Sequence, residues 1–81
     1  MKLYKLHNDL SIIAKSDREF CQRVFWRSIF AKEKTTKDFV DGWALRIRDT
    51  YNLTFVPNTT KYEDFVADLV RLQLLTVSYF H

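Results

Sequence analysis

The side chains that could carry out catalysis are few and widely spaced in this chain of 81 residues. His7 and His81 lie near opposite ends, and the single cysteine, Cys21, falls on the apolar side of a predicted helix. Nucleophilic catalysis needs a serine or cysteine beside a base, and a zinc site needs several ligands close together. The sequence therefore predicts an unreactive, packed thiol and no metal site.

Two pairs of aspartates have a spacing that acid–base catalysis could use, because each pair falls on one side of a helix. The pairs are Asp38 with Asp41 and Asp64 with Asp68. Both are predicted on outward helix faces, where solvated carboxylates are far more common than catalytic ones. Gly42 is the only glycine, so a glycine-rich phosphate-binding loop cannot form. We therefore expect a protein that is not an enzyme and uses no cofactor.

The composition is that of one folded domain spanning residues 1–81. Hydrophobic residues make up 47% of the chain, and Gly and Pro occur once each, which excludes a disordered tail or a flexible linker. So short a chain buries only about 60–65% of its unfolded surface. We expect it to compensate with large aromatic side chains or by sharing its core with a partner.

Capping signals and apolar periodicity predict a mainly α fold, a compact bundle of three to four helices. Capping boxes at Ser16–Glu19, Thr35–Asp38 and Thr60–Glu63 mark three helix starts. Asn52 suits the left-handed position after a helix end. The predicted helices are a short one ending at Lys15, one from Asp17 to about Glu33, one ending near Tyr51 and one beginning near Lys61.

The end of the last helix leaves an alternative open. Leu74–Phe80 has the composition of a strand, but no turn residue separates it from the preceding helix. We therefore favour a helix that continues to about Val77. The alternative is a short terminal β pairing of Leu74–Phe80 with Lys2–Leu6.

The predicted helix from Asp17 to Glu33 is apolar on nearly all sides. Trp26 and Phe30 fall on the side opposite its main apolar face, with Arg23 and Arg27 beside them. Either the domain encloses this helix, or another chain covers Trp26 and Phe30. Trp, Phe and Arg are enriched in interfaces. The main apolar face carries Phe20, Cys21, Val24, Phe25, Ile29 and Ala31.

Charge is distributed unevenly along the chain. Up to Lys37 there are nine basic and four acidic residues, a charge of +5, whereas the remainder has four basic and six acidic residues, a charge of −2. The basic part can meet an acidic partner. The predicted partner-binding residues are Arg23, Trp26, Arg27, Phe30 and Lys34.

These features favour a small binding protein that acts as an inhibitor or adaptor, by occluding an acidic surface of a larger protein or nucleoprotein. Small proteins of this kind are frequent among phage and mobile-element products, an argument by analogy alone. One alternative is a basic protein that binds single-stranded nucleic acid through the N-terminal basic and aromatic face. A second is a homodimer that buries Trp26 and Phe30.

The sequence also bears on the compartment. No run approaches the roughly 20 apolar residues of a membrane span, and no apolar stretch of a secretory signal follows Met1–Leu6. An unpaired Cys21 fits a reducing environment. We therefore expect a cytoplasmic protein without a membrane partner.

Overall fold

A computed structural model describes residues 1–7, 10–28 and 32–79 of the chain. Its fold combines a three-stranded antiparallel sheet with three helices. The predicted bundle of three to four helices is therefore wrong, and the fold class is α+β. The elements are β1 (Lys2–Leu6), β2 (Ser11–Ala14), α1 (Asp17–Arg27), α2 (Thr36–Thr50), α3 (Tyr62–Arg71) and β3 (Leu75–Tyr79).

The first two strands pair where the sequence predicted a helix. In β2, Ile12 and Ala14 are buried while Ser11 and Ile13 are exposed. Burial at every second residue is the period of a strand with one face on the core. The predicted short helix ending at Lys15 is therefore wrong.

The central strand of the sheet is β1, which pairs with β2 on one side and with β3 on the other. Lys2 lies opposite Tyr79, and Leu6 lies opposite Leu75. Over residues 75–79 the structure therefore has the terminal β pairing that the sequence analysis gave as the alternative. The favoured prediction, a last helix that continues to about Val77, is wrong. Phe80 lies outside the described residues.

The turn between α3 and β3 explains why no glycine was needed there. Gln73 adopts a left-handed conformation with φ 63°. Its amide donates to the carbonyl of Val70 at 3.0 Å, and the amide of Leu74 donates to that of Leu69 at 2.9 Å. These two bonds form a Schellman motif, which ends a helix and reverses the chain.

All three predicted helix starts are confirmed, but only two of the three predicted capping bonds form. The side chain of Ser16 accepts from the amide of Glu19, and that of Thr35 accepts from the amide of Asp38. The N-cap of α3 is Lys61, which makes no side-chain capping bond, so the predicted box at Thr60–Glu63 is not formed. In the described part of the chain, no helix has the length and apolarity needed to cross a membrane.

Aromatic side chains fill much of the core, as the composition predicted. Tyr4 of β1 stacks on Phe20 of α1, with ring centroids 4.4 Å apart. The ring of Trp43 in α2 contacts Phe20, Phe39 and Phe65 at centroid distances of 5.1 to 6.3 Å. These contacts join the sheet to all three helices and fix the orientation of α1.

Candidate protein-interaction surface

The helix α1 has one face in the core and one in solvent. Phe20, Cys21 and Val24 are buried, and a spacing of 100° per residue puts Trp26 on the opposite side. The side chain of Trp26 is 70% exposed. We call the surface made by Glu19, Gln22, Arg23 and Trp26 the α1 outer face.

The structure decides one alternative for Trp26 and leaves Phe30 undecided. The interpretation in which the domain encloses Trp26 is wrong, because most of its indole is in contact with solvent. Phe30 lies outside the described residues. The helix α1 ends at Arg27, rather than near Glu33 as predicted.

An ion pair holds Arg23, which lies one turn before Trp26 on α1. The Nη2 atom of Arg23 lies 3.1 Å from Oε1 of Glu19, and Nε donates to the same oxygen at 3.1 Å. This pair has the i, i+4 spacing that stabilises helices. Sequence reasoning missed this ion pair, although the spacing alone could have revealed it.

The remaining two predicted residues are placed differently. Arg27 is exposed in the last turn of α1, where its charge also stabilises the helix dipole. Lys34 is exposed just before Thr35, the N-cap of α2. No hydrogen bond or ion pair joins Lys34 to α1 within the described ranges. Arg23, Trp26 and Arg27 therefore share one helix, and Lys34 belongs to the next connection.

The excess of positive charge in the first half of the sequence remains after the ion pairs of the structure are taken into account. Six ion pairs form among the described residues. Of the cations they leave unpaired, all are exposed and all but one precede α2. The unpaired acids are Asp38, Glu63 and Asp64. The unpaired cations are Lys5, Lys15, Arg18, Arg27, Lys32, Lys34 and Lys61.

The candidate reactive groups have structural roles. Burial, with the negative charges of Asp17 and Glu63, raises the pKa of Cys21 to about 12, so the thiolate that would react is scarce. Asp41 accepts from Nζ of Lys37 at 2.6 Å, and this bond holds the pKa of its carboxyl below the usual value. Asp68 accepts from the amide of Asn58 at 2.8 Å and from Arg71.

One cavity was not foreseen from the sequence. It measures about 70 Å³ and lies beside α2, where the His7 ring and the Tyr51 hydroxyl form a hydrogen bond. Its other lining side chains are all apolar. A cavity that holds benzene measures about 150 Å³, so this one has no room for an organic substrate. Among the described residues, no group of His, Cys, Asp or Glu is arranged to hold a metal ion.

No protein-family model matches this chain, and no curated protein or solved structure matches it. A functional argument must therefore start from the surface itself. Its most distinctive feature is a large exposed indole on α1, in the part of the sequence that also holds most of the unpaired positive charge.

Proposed function

We propose that this chain is a small binding protein that covers an acidic surface of a larger protein through the α1 outer face, as an inhibitor or adaptor. The 70% exposure of Trp26 is the observation that carries the proposal. Tryptophan contributes more binding energy than almost any other residue when a partner buries it. A fold that buries Phe20 and Phe65 completely has a core available for large rings, yet Trp26 lies outside it.

The unpaired cations support an acidic partner. Arg18 and Arg27 lie on the same helix as Trp26 and have no ion pair to another described residue, and Lys15 and Lys34 lie in the flanking segments. Such charges raise association rates by steering, and they discriminate against partners of like charge. These four cations would steer the partner toward the α1 outer face, where Trp26 would be the apolar anchor.

Single-stranded nucleic acid is the second candidate, since an exposed ring and free cations can bind bases and phosphates. The position of Glu19 favours protein over nucleic acid. Its carboxylate neutralises Arg23, one turn from Trp26, and would repel a phosphate there. Titration of single-stranded DNA at increasing salt tests this alternative, because affinity from phosphate contacts falls steeply with salt.

The decisive experiment compares two matched truncations in affinity capture from extracts of the producing cells. Trp26→Ala removes the proposed anchor, and Leu45→Ala removes a 46% exposed side chain on α2. We expect Trp26→Ala to weaken binding of the retained protein by about 2 kcal/mol or more, and Leu45→Ala to leave binding unchanged. Circular dichroism and urea denaturation verify that both variants fold.

The proposal fails if the Trp26→Ala protein retains the same partners with the same affinity as the unmodified chain. A shift of single-stranded DNA that disappears only at high salt and requires Trp26 would instead support the second candidate. We also propose a reducing, cytoplasmic compartment, supported by the unpaired thiol of Cys21.

A further inference from the structure

We propose that two copies of this chain associate through the free edge of β3 and the adjoining side of α3, forming one six-stranded antiparallel sheet. Among the described residues β1 is the only strand that pairs with β3, so the other edge of β3 is open. Exposed edge strands commonly carry a charged residue or a proline that blocks further pairing. The β3 sequence, LTVSY, carries neither.

The register identifies the backbone groups on that edge. The amide of His7 donates to the carbonyl of Leu74 at 3.1 Å, continuing the ladder between β1 and β3. Hydrogen-bonded and non-bonded pairs alternate along an antiparallel ladder, so Leu74, Thr76 and Ser78 bond to β1. The N–H and C=O groups that point to the free edge belong to Leu75, Val77 and Tyr79.

These three residues can satisfy one another across a two-fold axis. In an antiparallel pairing centred on Val77, Val77 faces Val77 of the second copy, and Leu75 faces Tyr79 on each side. Each facing pair exchanges two backbone hydrogen bonds. If the pairing is centred on Thr76 or Ser78 instead, only two facing pairs of these edge residues form, rather than three. The free edge is therefore self-complementary, with one preferred register.

The position of α3 is compatible with the same axis. Ala67 lies about 6 Å along α3 from Arg71, and Val77 lies about 7 Å along β3 from Leu75, so both are at similar distances from the turn at residues 72–74. Both line one groove of about 370 Å³. The axis that pairs the strands thus brings two α3 helices together, antiparallel, at the small side chain of Ala67.

Two side chains of this groove stay largely exposed in a single copy, although Nζ of Lys2 lies 5.5 Å from the centre of the Tyr79 ring. Val70 is 43% exposed and Tyr79 is 73% exposed, and both line the groove. Tyr79 lies on the helix-covered side of the sheet, because it shares that side with Leu75. The second copy would cover both Val70 and Tyr79.

Charge complementarity also favours a second copy as the occupant. Glu63 and Arg71 each lie one turn from Ala67, on opposite sides, so an antiparallel helix pair places Glu63 of one copy beside Arg71 of the other. Both residues line the groove. Glu63 has no ion pair within the described part of the chain, and Arg71 pairs only with Asp68 of its own helix. A symmetric dimer would add two ion pairs.

Sedimentation equilibrium from micromolar to millimolar protein, with two charge reversals, tests the proposal. The unmodified chain is expected to be a dimer that dissociates on dilution. Glu63→Arg and Arg71→Glu should each raise the dissociation constant by at least about tenfold, since each puts like charges in contact. Mixing the two variants should restore dimers, because every contact across the mixed interface again joins opposite charges.

Rescue on mixing separates an interface effect from damage to the fold, which mixing would not repair. Asp49→Arg, at an exposed site on α2, is the matched control and should leave the dissociation constant of the dimer unchanged. A chain that stays monomeric at millimolar concentration overturns the proposal. A dimer whose dissociation constant is unchanged by both charge reversals, but which dissociates in the Trp26→Ala variant, also overturns the proposal. That result assigns the dimer contact to the α1 outer face.

Discussion

The hydroxyl of Tyr4 donates a 2.6 Å hydrogen bond to Oδ1 of Asp17, joining the middle of the central strand to the first turn of α1. Tyr4 is completely buried and stacks on Phe20. Asp17 lies 3.8 Å from Nζ of Lys2 as well. Burial, and the bond to this carboxylate, raise the pKa of Tyr4 well above its usual value. This polar contact at the border of the core therefore adds to the aromatic packing that positions α1 on the sheet.

Removing the hydroxyl of Tyr4 and removing the carboxylate of Asp17 should lower the free energy of unfolding by different amounts. Tyr4→Phe keeps the stacked ring and should cost about 1–2 kcal/mol. Asp17→Ala leaves a buried hydroxyl without an acceptor and should cost about 1 kcal/mol more. Urea denaturation of both variants and of the double variant gives the coupling energy. Strictly additive losses would show that the bond contributes nothing.

Stability should fall at alkaline pH, because folding raises the pKa values of Cys21 and Tyr4. A group with a raised pKa contributes stability that is complete below its unfolded pKa and is lost as pH rises through its folded pKa. For Cys21 that window extends from about 9 to about 12. Denaturation midpoints measured across this range should decline, and the decline should be smaller in Cys21→Ala.

The same burial should protect the thiol of Cys21 from modification. At pH 8 a thiol reagent should react on the order of a hundredfold or more slowly with the native chain than with the chain in urea. The added cysteine of Asp49→Cys, at an exposed site, provides the comparison. Equal rates for the two thiols of that variant would contradict the burial of Cys21.

The two tryptophans should respond in opposite ways to truncation. Trp43 contacts three core rings, so Trp43→Ala should cost about 3 kcal/mol or more. Trp26→Ala should change stability by no more than about 0.5 kcal/mol. Acrylamide should quench the fluorescence of Trp43→Phe, which reports Trp26, more strongly than that of Trp26→Phe. The reverse order of quenching would place Trp26 in the core.

Glycine substitutions at the left-handed residues that follow α2 and α3 should change stability by different amounts. Gln73, with φ 63°, has a side chain poorly suited to this conformation, so Gln73→Gly should stabilise by about 0.5–1 kcal/mol. Asn52, with φ 54°, is among the residues that tolerate it, so Asn52→Gly should change stability by only a few tenths. Thermal denaturation of the two variants makes the comparison.

The start of α3 lacks a side-chain cap, so a better N-cap residue there should increase the stability of the protein. Lys61 has the extended backbone of an N-cap but makes no capping bond, and its charge opposes the helix dipole. Lys61→Asp should stabilise by about 0.5–1 kcal/mol. Thr35→Ala, which removes an existing cap from α2, should cost about 1 kcal/mol. Stability unchanged in both variants would mean that neither cap matters.

Sequence reasoning succeeded where local chemistry defines the structure. Thr35 begins α2, and Asn52 adopts the left-handed conformation after it, because caps depend on a few neighbouring residues. It predicted a helix in place of β2, and it gave the pairing of β1 with β3 only as an alternative, since the five residues of β1, with Lys2 and Lys5 among them, show no clear alternation. It also failed at Gln73, because a glutamine in a left-handed turn gives no signal in the sequence.

For the candidate surface, the sequence identified Trp26 but not its environment. The apolar periodicity through Ala31 predicted a helix six residues longer than α1, which ends at Arg27. Whether Trp26 was core or surface depended on which neighbours cover α1, and that depends on β2, where sequence reasoning predicted a helix.

The topology also dictates an order of assembly. Lys2 of the central strand pairs with Tyr79, 77 positions later in the chain. Contacts between such distant segments form slowly. During synthesis on the ribosome, the hairpin of β1 and β2 therefore emerges before β3, with the edge of β1 that β3 will cover still unpaired, and the sheet is completed only after β3 has left the exit tunnel.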